Sequence, residues 1–191
     1  MKEAIILLNS LCPMPAELQL TLHTLGKRID LQKWDTLHKR GDICTNLYFI
    51  EKGLLCCYDK EAAIDKEYCV WLMEEGNIVT CVNSFDTGAV STETIMALES
   101  CILWTITRQT LEALTTDYRE FAAIRIKLTE RYHVQSRNMD AQRKRPPELF
   151  FDYLNKEYPR LITRVPNKHL SSFMGIREST LYQIKKNKRG K

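Results

Sequence analysis

Residues 165–187, VPNKHLSSFMGIRESTLYQIKKN, carry two helical patterns separated by a single glycine. Leu170, Met174, Ile176, Leu181 and Ile184 supply the apolar contacts that hold two crossed helices together. Gly175 falls where the chain has to turn sharply, and glycine enters positive φ at little steric cost. Ser171, four residues earlier, is small enough to let the second helix approach the first closely. This is the pattern of a helix-turn-helix, whose usual role is to seat its second helix in the major groove of DNA. Paired amphipathic helices around a glycine also occur in helical proteins without that role, so the charge around them has to discriminate.

From Arg143 to Lys191, thirteen Lys or Arg stand against four Asp or Glu, a net of +9. Residues 1–142 carry fifteen against twenty, a net of −5. The modest total of +4 therefore conceals a basic C-terminal part on an acidic body. That asymmetry suits phosphate binding with counterion release. A merely solvated basic end accounts for Asn187 to Lys191 but not for the patterned helices before them.

A chain of 191 residues has room for one full domain and a small second one. Its apolar content of 44% and charged content of 27% match a soluble globular protein. No apolar run reaches a membrane span. Ala4–Leu8 is too short for a signal-peptide core and lacks a cleavage site, so a cytoplasmic protein without membrane contact is expected. Seven cysteines (Cys12, Cys44, Cys56, Cys57, Cys69, Cys81 and Cys101) are irregularly spaced, without a Cys-x-x-Cys. They read as small buried side chains of strands. Only Cys56-Cys57 are close in sequence, and on a strand they point to opposite faces; the histidines are dispersed. No metal and no cofactor are expected. There is no Gly-rich phosphate loop, no Gly-x-Ser-x-Gly and no His-Glu-x-x-His, and Glu74-Glu75 read as a solvated turn, so the chain is not expected to be an enzyme.

Leu18, Leu22 and Leu25 have helical spacing, with Gly26 as a stop. From Lys27 to Ile106 the texture becomes that of short strands: RIDLQKW, NLYFIEKG, LLCCYDK, KEYCVWLMEEG, TETIMAL and CILWTI. Gly41-Asp42, Gly53, Gly76-Asn77 and Asp86-Thr87-Gly88 punctuate them, as in a small β-sandwich or barrel. Thr107 is a cap candidate for a helix containing Leu111 and Leu114. A long helix follows from about Tyr118 to Lys144, with Phe121, Ile124, Leu128, Arg131 and Gln135 at alternating three- and four-residue steps. Such a helix either packs on its own β domain or forms a dimer seam; at ~38 Å it exceeds what one small domain needs, which favours the seam. Pro146-Pro147 end it, and Glu148–Glu157 form the next helix. Three parts are predicted: a β domain with flanking helices (1–117), the long helix (118–145) and the helix-turn-helix domain (146–191).

The segment Leu47-Tyr48-Phe49-Ile50-Glu51-Lys52-Gly53, with Gly41-Asp42 before it and Glu75-Gly76 after it, is similar to the strand-turn motif of cyclic-nucleotide-binding domains. Val165 to Lys186 resembles the DNA-reading end of regulators that contain such domains. From about residue 10 to 187 the chain resembles the superfamily of the cyclic-AMP receptor protein and Fnr. The resemblance implies an α+β fold: an N-terminal β-roll of the double-stranded β-helix (jelly-roll) type, a long dimerisation helix and a C-terminal helix-turn-helix. It implies a homodimeric, sequence-specific transcription regulator on a pseudo-palindromic operator in double-stranded DNA, with RNA polymerase as a further partner and a small-molecule effector of unknown identity. The rival reading is a ligand-sensing or protein-interaction module that does not bind DNA.

By the same resemblance Glu178, Ser179 and Gln183 read bases. Lys168, His169, Arg177, Thr180, Lys185 and Lys186 are expected on the DNA backbone. Cys81, Asn83, Ser84, Ser91 and Thr92 fall where the effector pocket would lie. Two departures stand out. Family members that bind cyclic AMP hold it with a Gly-Glu-Leu segment and an Arg-Ser or Arg-Thr pair; here the stretch is Val79 to Phe85 followed by Ser91-Thr92-Glu93. No Arg lies between Arg40 and Arg108. A cyclic phosphate wants such a cation, and Glu93 repels it, so cyclic AMP is not expected to bind in the usual way. The DNA-binding part is also pared down: only Tyr158–Arg164 precede the motif, where relatives place strands.

Overall fold

The computed structural model describes residues 1–61 and 66–189; Gly190 and Lys191, at the basic end read as solvated, lie outside the described residues. Two helices, α1 (Lys2–Leu11) and α2 (Ala16–Leu25), precede the strands. Helix α1 was not legible in the apolar run Ala4–Leu8. It forms because Ala4, Ile5 and Leu8 find apolar cover on the sandwich. The terminal ammonium of Met1 pairs with Glu51, whose carboxylate also accepts from Trp104. In α2, Leu18 and Leu22 are buried as their spacing predicts, while Leu25 is exposed.

Among the described residues eight strands follow: β1 (Lys27–Leu31), β2 (Thr36–His38), β3 (Asn46–Lys52), β4 (Leu55–Glu61), β5 (Lys66–Met73), β6 (Ile78–Val79), β7 (Thr94–Ala97) and β8 (Cys101–Thr107). They make two four-stranded antiparallel sheets, ordered β1-β8-β3-β6 and β2-β7-β4-β5. Alternation sorts their side chains: Ile95 and Ala97 of β7, and Cys101 and Leu103 of β8, turn into the core between the sheets. The β3–β4 turn at Gly53 is a close backbone approach: a Cβ there would lie 2.8 Å from the Cα of Cys101. This antiparallel roll with attached helices is the α+β architecture that the family resemblance implied, and its two sheets are the small sandwich the strand texture pointed to.

Helix α3 (Val82–Thr87) bridges β6 and β7, and α4 (Arg108–Asp117) leaves β8 with Thr107 Oγ1 accepting from Thr110 N–H. Helix α5 (Arg119–Arg143) is the long one, 25 residues. Its first turns share a face with α4, so Phe121 and Ile124 are buried beside Leu111 and Leu114 in the chain's own core. This corrects two of the five residues expected at a dimer seam: they fill this domain and are not free for a second copy. Leu128 is half-buried against the same core, Gln135 is half-buried, and Arg131 is exposed. The apolar residues that α5 does leave exposed are Ile126 and Val134.

Four helices follow among the described residues: α6 (Pro147–Glu157), α7 (Pro159–Arg164), α8 (Asn167–Phe173) and α9 (Glu178–Arg189). Pro147 stands at the first position of α6, where its missing N–H costs nothing. Phe150, Leu154, Leu170 and Leu181 form a second core, and that core also takes in Leu54, Cys56, Cys69, Leu72 and Leu98 of the roll. The C-terminal helices are therefore packed onto the roll. Among the described residues no strand lies in this C-terminal part, and no helix is long and apolar enough to cross a membrane.

Candidate functional site

Helices α8 and α9 meet at Gly175, whose φ is +68°. The turn is tied by Gly175 N–H donating to Ser172 O and Ile176 N–H donating to Ser171 O. Leu170, Leu181 and Ile184 are buried between the helices, and Ser171 is buried as well. With that face of α9 covered, Glu178, Ser179, Thr180, Tyr182, Gln183 and Lys186 are all exposed. Ser179, Gln183 and Lys186 follow one another at helical steps and so share one outward strip. Arg177 in the turn and Lys168 near the start of α8 are also exposed.

Two of the residues expected on the DNA backbone have other duties. Lys185 donates to Asn167 Oδ1 at 2.6 Å and staples α9 to the start of α8. His169 points away from the α9 surface. It is half-buried, its Nδ1 shares a hydrogen bond with Tyr58 Oη, and its ring lies 5.6 Å from that of Trp34. Burial lowers its pKa, and Lys168 and Lys33 act in the same direction. His169 thus belongs to the contact between α8 and the roll, because the exposed face of the motif is on α9 and the back of α8 is the docked face.

That contact has further parts. Cys69 N–H of β5 donates to Ser172 Oγ at 2.9 Å, and Arg143 donates to the Val70 carbonyl while stacking 4.7 Å over the Phe173 ring. Arg164, ending α7, forks onto Glu75 through bonds of 2.7 and 2.8 Å, pairs with Glu99 and reaches Glu74 at 3.5 Å. Burial works against the charge on Glu75, but Arg164 and the Gly53 N–H overcome it and hold the pKa at about 2. Burial raises Glu74, which Arg164 only partly offsets. Glu74-Glu75, read from sequence as a solvated turn, are in fact acceptors of an interdomain clamp. Their partners lie about ninety residues on in the chain, so no local pattern could have revealed it.

The roll holds a cavity of about 70 Å³ between its sheet and α5, lined among others by Cys57, Trp71, Glu93, Ile95, Tyr132 and Gln135. Pockets for small molecules typically run to roughly 300–1,000 Å³. None of the five residues expected around the effector lines this cavity. Ser84 is buried, accepting from Cys44 N–H and donating to Ala89 O, so it braces α3. Ser91 Oγ closes a local turn with the Glu93 backbone. Asn83 and Thr92 are exposed, and Cys81 is buried beside Cys44. The hydrogen bond with Cys81 holds Cys44 low, at about 5, against the burial that opposes it, and correspondingly raises Cys81.

Burial raises Glu93, while the neighbouring Cys81 and Cys57 thiols act in the opposite direction. A cation missed in the linear reading does reach this loop. Arg40 Nε donates to the Thr92 carbonyl at 2.5 Å, and its guanidinium lies 3.5 Å from Glu67.

Residues 28–118 match the cyclic nucleotide-binding domain family. No curated protein matches the sequence. Among solved structures, FixK2 from Bradyrhizobium japonicum superposes with a TM-score of 0.70 at 10% identity, over 85% of this chain and 83% of that one. CLP from Xanthomonas campestris, a c-di-GMP responsive global regulator, gives 0.69 at 15% identity, covering 92% of both chains. A transcriptional regulator assigned to the crp/fnr family from Eubacterium rectale gives 0.68 at 14% identity, over 90% of this chain and 82% of that one.

Proposed function

We propose that this chain, whose residues 28–118 are a cyclic nucleotide-binding-type domain and whose fold is that of the Crp/Fnr regulators, is a DNA-binding transcription regulator. The observation that carries the reading is the outer strip of α9. Its apolar face is buried against α8, and its polar face, with Glu178, Ser179 and Gln183, is open to solvent. Gln pairs with adenine, Glu accepts from cytosine, and Ser serves either base. Lys168, Arg177, Thr180 and Lys186 flank that strip and suit phosphate contacts, which orient the protein without reading sequence.

A second copy joined along α5 would present two such helices to half-sites ~34 Å apart, one turn of duplex. The effector is not cyclic AMP held in the usual way. Glu93 lines the cavity of about 70 Å³ with no Lys or Arg beside it among the described residues, which is unfavourable to a phosphate there.

Selection of binding sites from random duplex by the full chain, with affinity measured against salt, tests the proposal. An enriched pseudo-palindrome and a steep salt slope are expected. Gln183→Ala should relax preference at one base by ~1–3 kcal/mol, whereas Lys186→Ala should weaken all sequences alike and reduce the salt slope by ~1. Absence of any enriched sequence, with salt-insensitive binding, would overturn the assignment.

A further inference from the structure

Three potential metal donors that are far apart in the linear pattern converge at one edge of the roll. The Sγ atoms of Cys44 and Cys81 and one imidazole nitrogen of His38 all lie within 4.8 Å of one another. His38 ends β2, Cys44 sits in the β2–β3 loop, and Cys81 caps the start of α3. All three side chains are buried, at 9%, 2% and 1% exposure.

A second observation is independent of this spacing. His38 Nε2 is buried and has no hydrogen-bond partner. An orphaned buried polar atom costs free energy unless something unseen satisfies it, and an ion is one such thing. The site is also braced in advance. Cys44 N–H donates to Ser84 Oγ, Gly41 N–H to Ser91 O and Ser91 N–H to Asp42 O, which lace the Cys44 loop to the α3–β7 segment.

We propose that His38, Cys44 and Cys81 form a binding site for a thiophilic d10 cation, Zn(II), in the sensor domain. Two thiolates and an imidazole are a familiar zinc set, with bonds of about 2.3 Å to sulfur and 2.0–2.1 Å to nitrogen. Donors at such lengths lie within ~4 Å of one another, so the observed spread closes with a side-chain shift of about 1 Å. Thr80 Oγ1, 3.3 Å from Cys44 Sγ, stands just outside and can orient that sulfur. The fourth position is open to water or to the neighbouring Glu93 carboxyl. The set is soft enough to discriminate against Mg(II) and Ca(II), which take oxygen ligands. The inference does not depend on DNA binding, and a regulator without the metal or a metal site without DNA recognition would each be seen separately.

The full chain, reduced and stripped with a chelator, is titrated with Zn(II) against a chromophoric competitor and separately with Co(II). One Zn(II) per chain is expected, together with a thiolate-to-Co(II) charge-transfer band whose intensity corresponds to two sulfurs. Cys44→Ser, Cys81→Ser and His38→Gln should each weaken Zn(II) by ~10-fold or more, whereas Cys12→Ser, outside the cluster, should change nothing. Because the Co(II) spectrum is read on the unmutated chain, a variant that fails to fold does not decide the matter. No bound Zn(II), a Co(II) spectrum without sulfur ligation, or full affinity in folded Cys44→Ser and Cys81→Ser would overturn the site.

Discussion

Gly53 and Gly175 are both turn glycines with positive φ, at +112° and +68°, yet they do different work. A Cβ on Gly175 would meet nothing within 4 Å. A Cβ on Gly53 would lie 2.8 Å from Cys101 Cα and 2.9 Å from its Cβ. Gly175→Ala should therefore cost only the left-handed backbone, ~1–2 kcal/mol. Gly53→Ala should add the displacement of β8, for a total of ~2–5 kcal/mol. Thermal unfolding of the two variants checks this, and equal losses would contradict it. Sequence marks both positions as turns because glycine is the cheap residue there. It does not rank them, because the clash at Gly53 comes from a strand far along the chain. His169 is the same lesson at a polar residue: its position in a basic motif suggested phosphate, but Trp34 and Tyr58 of the roll claim its ring.

Helices α7 and α8 join the helix-turn-helix to the roll, and charge pairing at Arg164 adds to the apolar contacts of that joint. Arg164 is 21% exposed and serves three carboxylates. Arg164→Ala should lower stability by ~1–3 kcal/mol and loosen α8 from β5. Hydrogen exchange at the Cys69 amide, which donates to Ser172, is the local readout.

Acid should act on the same joint. Glu75 is depressed from an ordinary 4.5 to about 2, so its contribution is present above pH ~4.5 and lost as pH falls toward 2. Glu74 is raised and opposes it in part. His169 is lowered from 6.5, so its neutral form stabilises the docked helix above pH ~6.5, and that help fades as pH falls below it. Stability should therefore begin to drop below pH ~6.5, ahead of the carboxylate phase, and His169→Gln should remove the early part alone. A drop that starts only in the carboxylate range in the unmutated chain would contradict the His169 assignment. At this scale α8, α9, α5 and the main strands were legible from periodicity and punctuation. Helices α1 and α3 and the short strands β2 and β6 were not. Their residues carry too few periods for a pattern, and packing against the roll is what stabilises them.

For the whole molecule, the proposed dimer would turn on which face of α5 is left over. Phe121 and Ile124 are in the core, so the available apolar positions are Ile126 and Val134, each 60% exposed. Ile126→Asp with Val134→Asp should shift the chain to monomer and abolish binding to a two-half-site operator while leaving the fold intact. Sedimentation together with circular dichroism measures both, and an unchanged dimer would place the seam elsewhere.

The sequence by itself determined the order of parts, the helix-turn-helix with its inward and outward faces, and the basic end, because periodicity, glycine punctuation and charge are local properties of a chain. Only the tertiary structure decided which face of α5 is free, that α7 and α8 dock on the roll through Arg164, His169 and Ser172, and that His38, Cys44 and Cys81 meet. Those are contacts between residues remote in the chain, and long-range contacts leave no periodic trace in one sequence.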